Sequence, residues 1–183
     1  DMAAFPGAGD GDRIRWQPRL TRRGPPAPRT GRRWQVASLN VNTLNTVGRL
    51  TEVLSTMGGA GMTAVLLQGS RWGCHRATPS PPAQFITCVR GIEWRVWNWS
   101  TSARDPAAGV VICARTDALR DLLVTSGEIA PGRGGWIRVK RGAVDLTLAS
   151  VYVPPGEGIR GRGISFLATL AKWVAHRPVR TGL

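Results

Sequence analysis

VLLQGSRW, residues Val65–Trp72, is an apolar run that stops on an amide and a glycine, and the chain on either side is organised around it. Thr63–Gln68 lies between Gly61 and Gly69 and has the length of a buried strand that carries Gln68 and its successor to a sheet edge. Upstream, Trp34, Val36, Ser38 and Asn40 alternate with Gln35, Ala37, Leu39 and Val41, the period of a strand whose last polar residue sits at its end. Between these two strands, Asn42 or Asn45 can cap a helix in which Val47, Leu50, Leu54 and Met57 share one face, and Gly58, Gly59 and Gly61 stop it.

Downstream the pattern is strands and turns. Gln84–Val89 and Glu93–Ser100 flank Arg90-Gly91-Ile92 as a hairpin, with Phe85, Trp94 and Val96 supplying β-favouring bulk. Gly109–Ala114 is a further apolar strand, and Asp117–Leu123 is expected to be a short helix opening a connection that ends at Val124. Gly134–Lys140 and Ala143–Val153 are joined by Arg141-Gly142, a hairpin signal, and Val144, Leu146, Leu148, Ser150 and Tyr152 share a face. After Pro154, Pro155 and a glycine-rich loop, Ile164–His176 is expected to return as an amphipathic helix packing through Leu167, Leu170 and Val174.

Four segments in this order resemble the endonuclease/exonuclease/phosphatase superfamily, and most closely the endonuclease domains that accompany the reverse transcriptases of non-LTR retrotransposons. They are Asn40, Gln68-Gly69, Gly109-Val110-Val111-Ile112 and Tyr152-Val153-Pro154, within a match over about Trp34 to His176. The resemblance implies an α/β fold, a partial four-layer α/β/β/α sandwich of which this chain supplies roughly the first half. It also implies a metal-dependent phosphodiester hydrolase, with magnesium as cofactor and DNA as the main partner.

Hydrolysis of a phosphodiester needs a divalent ion to neutralise developing charge and a base to activate water. Magnesium takes oxygen ligands, normally including carboxylates. In the family the principal carboxylate is the Glu after the position of Gln68; here that position is Gly69, and Ser70 is a neutral neighbour on the other side of a strand. The family's Asp-x-Asn and terminal Asp-His motifs have no counterpart, and Pro178-Val179 resembles the approach to the first of them. The resemblance leaves Asn40 as a contact near the scissile phosphate and Tyr152 presenting its phenol to it, as the catalytic candidates. No metal ligand is assigned, and magnesium is not expected to bind tightly. Arg71 and Trp72 follow the Gln68 strand, where a guanidinium can pair with phosphate and an indole can stack on a base. Asn40 as a strand-end cap, Tyr152 as a core aromatic, Arg71 as a solvated cation and Trp72 as a packing residue are the structural alternatives.

Composition bounds the rest. At 183 residues and 42% hydrophobic, the chain has room for one core, and its net charge of +14 favours polyanions. A GC-rich coding sequence, rich in Arg, Gly, Ala and Pro, explains the same charge without any binding. Residues 1–33 carry eight arginines among Gly and Pro with little to bury, so they are expected to be a disordered basic arm ahead of a domain over residues 34–183. Cys74, Cys88 and Cys113 have neither disulfide-framework nor zinc spacing. Cys88 and Cys113 read as small core residues, Cys74 and His75 as loop residues, and neither His75 nor His176 matches a catalytic position. No run is long and apolar enough to span a bilayer, and the start lacks a secretory pattern, so an intracellular protein, nuclear or cytoplasmic, is expected. Two functions follow: a degenerate or truncated retroelement endonuclease domain, inactive alone and possessing a partner in the remainder of its polyprotein, or a non-catalytic nucleic-acid-binding protein on a decayed nuclease scaffold.

Overall fold

The computed structural model describes residues 33–44, 47–72, 82–99, 108–142, 144–153 and 162–176. The basic arm, Cys74, His75 and the glycine-rich loop after Tyr152 lie outside the described residues.

Strand β1 (Val36–Asn40), helix α1 (Val47–Gly59) and strand β2 (Ala64–Gln68) form a βαβ unit, with β1 and β2 parallel and Asn40 opposite Gln68. Leu50 and Leu54 of α1 are buried, Val53 and Met57 pack beside them, and this stripe meets Val65, Leu67 and Cys113 on one face of the sheet. Burial pushes the Cys113 thiol up, which makes it an inert core residue. Strands β3 (Gln84–Val89) and β4 (Ile92–Trp99) form the expected hairpin. Both central residues of its turn have positive φ, +50° at Arg90 and +76° at Gly91, the pattern of a type I′ turn. With β5 (Val110–Arg115) these strands complete a five-stranded sheet in the order β1-β2-β5-β4-β3. β3 is an edge strand whose outward face holds Ile86 and Cys88, so Cys88 is exposed and not the core residue its apolar run suggested.

The single-turn helix α2 (Thr116–Leu119) is shorter than the sequence suggests. The Arg115 guanidinium grips Asp117 through Nε at 3.0 Å and Nη2 at 2.6 Å and holds that carboxyl below the usual range. Strand β6 (Leu123–Ala130) then begins where a connection was expected. It pairs with β7 (Gly134–Arg141), which pairs with β8 (Val144–Val151), giving a three-stranded antiparallel sheet. Ile137 and Val139 of β7 and Leu148 of β8 share one buried cluster with Ala64, Trp97 and Ile112 of the larger sheet, so the sheets meet through this core. Helix α3 (Arg162–Ala175) buries Phe166 and sets Trp173 with its ring centroid 6.4 Å from that of Trp136 on β7. Leu167 and Val174, expected on its packing face, are exposed instead.

Candidate active site

Four chain segments meet at one end of the two sheets. Ser70 N–H donates to Gly109 O at 3.0 Å, Arg71 N–H to Ala108 O at 3.1 Å, Gly109 N–H to Gly132 O at 2.7 Å and Tyr152 N–H to Arg133 O at 2.8 Å. These bonds tie the ends of β2 and β8 to the start of β5 and the β6–β7 turn. The rim is backbone-built, and its curvature comes from left-handed residues: Asn42 at φ +55°, Gly69 at +65° and Arg71 at +51°.

Asn40 and Gly69 are in contact. Asn42 N–H donates to Asn40 Oδ1 at 3.1 Å, turning the carboxamide back on its own chain. A Cβ built on Gly69 would lie 2.9 Å from that same Oδ1, so the amide oxygen fills the space a side chain at 69 would enter. Position 69 therefore disfavours a side chain twice, by its left-handed backbone and by an amide oxygen that would have to swing aside. Gln68 points between the sheets, with Nε2 within reach of Ser38 Oγ at 3.1 Å, Ser150 Oγ at 3.2 Å and Leu66 O at 3.2 Å, acceptors that its two protons share. Ser150, 1% exposed, donates its hydroxyl to Leu67 O at 3.0 Å. This small network joins the sheets just below the rim. Ser150→Ala is expected to cost about 1 kcal/mol, read as a lower urea midpoint with an unchanged m-value.

Tyr152 is 7% exposed and packs among Ala108, Val110 and Trp99. The structure thus brings Asn40, Gly69 and Tyr152 to the same end, linked through the backbone bonds of Gly109 and Arg133. Trp72 is 4% exposed, and its ring centroid is 6.1 Å from that of Phe85. The base-stacking role expected for Trp72 has no open ring face here, because packing against the α1-side core occupies the indole. Arg71 Nε and Ser70 Oγ are buried, and neither has a hydrogen-bond partner. Arg133, not singled out from sequence, is also buried at this end. Its signal was hidden, since an arginine in Pro131-Gly132-Arg133-Gly134 reads as a solvated turn residue.

Among the described residues, no three His, Cys, Asp or Glu side chains converge. Glu128, near the end of β6, accepts the Gly132 N–H of the β6–β7 turn at 2.9 Å through Oε1. With Asn40 folded back, Gly69 bare and Gln68 engaged between the sheets, the donor set among the described residues does not fit a hard divalent cation.

The architecture is a mixed α/β fold with two β-sheets. It is shared with a solved structure described as the endonuclease domain of TRAS1, a telomere-specific non-LTR retrotransposon, at a TM-score of 0.50 and 16% sequence identity. The likeness covers 76% of this chain and 52% of that one, so the chain spans about half the length of that domain. No protein-family model matches the sequence. No curated protein matches it either. No described helix is long and apolar enough to cross a membrane.

Proposed function

We propose that this chain is a retroelement endonuclease-type domain, a partial four-layer sandwich, that does not hydrolyse phosphodiesters on its own. The observation that carries the proposal is the Asn40 carboxamide standing where a side chain at 69 would have to go. Metal-assisted hydrolysis needs anionic oxygen ligands at this rim, and beside amides, hydroxyls and guanidinium groups the described residues there supply one carboxylate, Glu128, whose Oε1 already accepts the Gly132 N–H. On this reading Tyr152 and Asn40 stand at the rim as structural residues and take no part in hydrolysis.

A second role on the same scaffold, nucleic-acid binding without cleavage, is favoured by the net charge of +14 and by Arg71. Arg71 is only partly buried at the rim, where a guanidinium can pair with a backbone phosphate. Trp72 then serves from beneath, holding the Arg71 loop against the core.

The test is nicking of supercoiled plasmid by the full chain with magnesium or manganese. No nicking is expected, and Gly69→Glu is not expected to create any. That variant should also lose about 1–2 kcal/mol of stability, because a β-carbon is forced into a left-handed conformation against Asn40. Metal-dependent nicking by the unaltered chain, abolished by Asn40→Ala, would overturn the proposal.

A further inference from the structure

A cleft of about 270 Å³ opens at the end of the sheets opposite the rim, between β4, α2 and the start of β6. The strand register fixes its place. Gln68 at the rim faces Val110, whereas Ala64, about 13 Å away along β2, faces Ala114, and Ala114 in turn faces Arg95. Arg95, Thr116 and Arg120 line the cleft together with Leu119, Leu122 and Val124, with no carboxylate among them. The Arg95 guanidinium lies 6.0 Å from the Trp97 ring centroid, at the outer limit of a cation–π contact, which orients it. The aspartates of this end are engaged elsewhere: Asp117 with Arg115, Asp121 with Arg141 and Asp145 with Arg138. Glu93, two residues from Arg95 on the same face of β4, makes no ion pair with it, so among the described residues Arg95 has no carboxylate partner.

The Thr116 hydroxyl donates to Glu93 O at 3.3 Å, so the two guanidinium groups are what meets a ligand. A guanidinium fork matches the oxygens of a phosphate, and two forks on one cleft suit a group with several of them. The aliphatic floor suits the sugar beside such a phosphate. The cleft is also smaller than the ~300 Å³ at which sites for whole small molecules begin, which favours one unit of a longer chain. Further exposed cations stand at the same end: Arg90 in the β3–β4 turn, Lys140 opposite Leu123, and Arg33 just ahead of β1. Cations spread over several elements match the repeated charge of a polynucleotide better than a single small anion. We infer that this cleft grips a backbone phosphate of a nucleic-acid strand between Arg95 and Arg120, on the side of the domain away from the rim. The inference rests on the nucleic-acid-binding reading and gives it a contact distinct from Arg71.

The test is a labelled single-stranded oligonucleotide titrated into the full chain across a salt series and followed by anisotropy. Arg95→Gln combined with Arg120→Gln is expected to weaken binding by ~10-fold and to lower the log–log salt slope by about 0.7, the value for one phosphate on a single strand. Arg120→Gln alone, at an exposed position, should show part of both effects, and circular dichroism with melting temperature establishes that each variant is folded. Arg71→Gln separates the two ends of the domain. If it weakens binding while the double variant matches the unaltered chain, the cleft does not hold the strand and the inference falls, with binding at the rim intact. No binding by the unaltered chain at low salt would remove both. Inorganic phosphate that displaces the oligonucleotide at equal phosphate concentration would assign the cleft to a free anion. Polyglutamate that does so at equal charge would assign it to an acidic polypeptide, and either result overturns the inference.

Discussion

Alanine at Gly135 is expected to destabilise the domain by about 3 kcal/mol, the upper part of the range for forcing extra volume into a packed interior. A Cβ there would lie 2.1 Å from Trp99 Cε3, 2.2 Å from Cδ2 and 2.5 Å from Cζ3. The indole lies directly on the Gly135 backbone, so glycine here serves close approach between β4 and β7. Trp99 has little room to retreat, because it also packs against Ala108, Val110 and Tyr152. Gly59→Ala is the control. No heavy atom lies within 4 Å of a Cβ at the end of α1, so that change should be neutral or stabilising by up to ~1 kcal/mol. Urea midpoints compare the two variants directly. Equal midpoints would mean that the sheets do not sit at this spacing.

Affinity for duplex DNA should fall by about 10³-fold or more between roughly 50 and 200 mM salt if six or more phosphates are neutralised. Counterion release gives a steep log–log slope, and that slope counts the contacts. Deleting residues 1–33 removes Arg13, Arg15, Arg19, Arg22, Arg23, Arg29, Arg32 and Arg33. The truncated chain should bind more weakly and with a shallower slope if the arm works through phosphates. Anisotropy of a labelled duplex across a salt series measures both. Binding that ignores salt, or no binding at low salt, would leave codon composition as the account of the arginines.

Much of the fold was legible because its strongest signals are local. The β1–α1–β2 unit follows from a period of two changing to one of 3.6, and the β3–β4 hairpin from Arg90-Gly91. Strand β6 was missed because Thr125-Ser126-Gly127-Glu128 has no apolar alternation; pairing with β7 makes it a strand. The packing face of α3 was misplaced because two apolar stripes adjoin, and only the position of Trp136 shows which one meets the sheet. At the rim, Asn40, Gln68-Gly69 and Tyr152 were visible as strand ends. The burial of Trp72 and Arg133 was not, because it depends on residues distant in sequence, and neither was the Ser150–Gln68 bond, which spans 82 positions.

The carboxamide of Asn40 leans on bare backbone at 69, so the two positions behave as one mechanical unit. A side chain introduced at 69 would turn that amide outward and release the Asn42 N–H from its acceptor, so the first effect of such a substitution is felt in the Asn40–Asn42 turn.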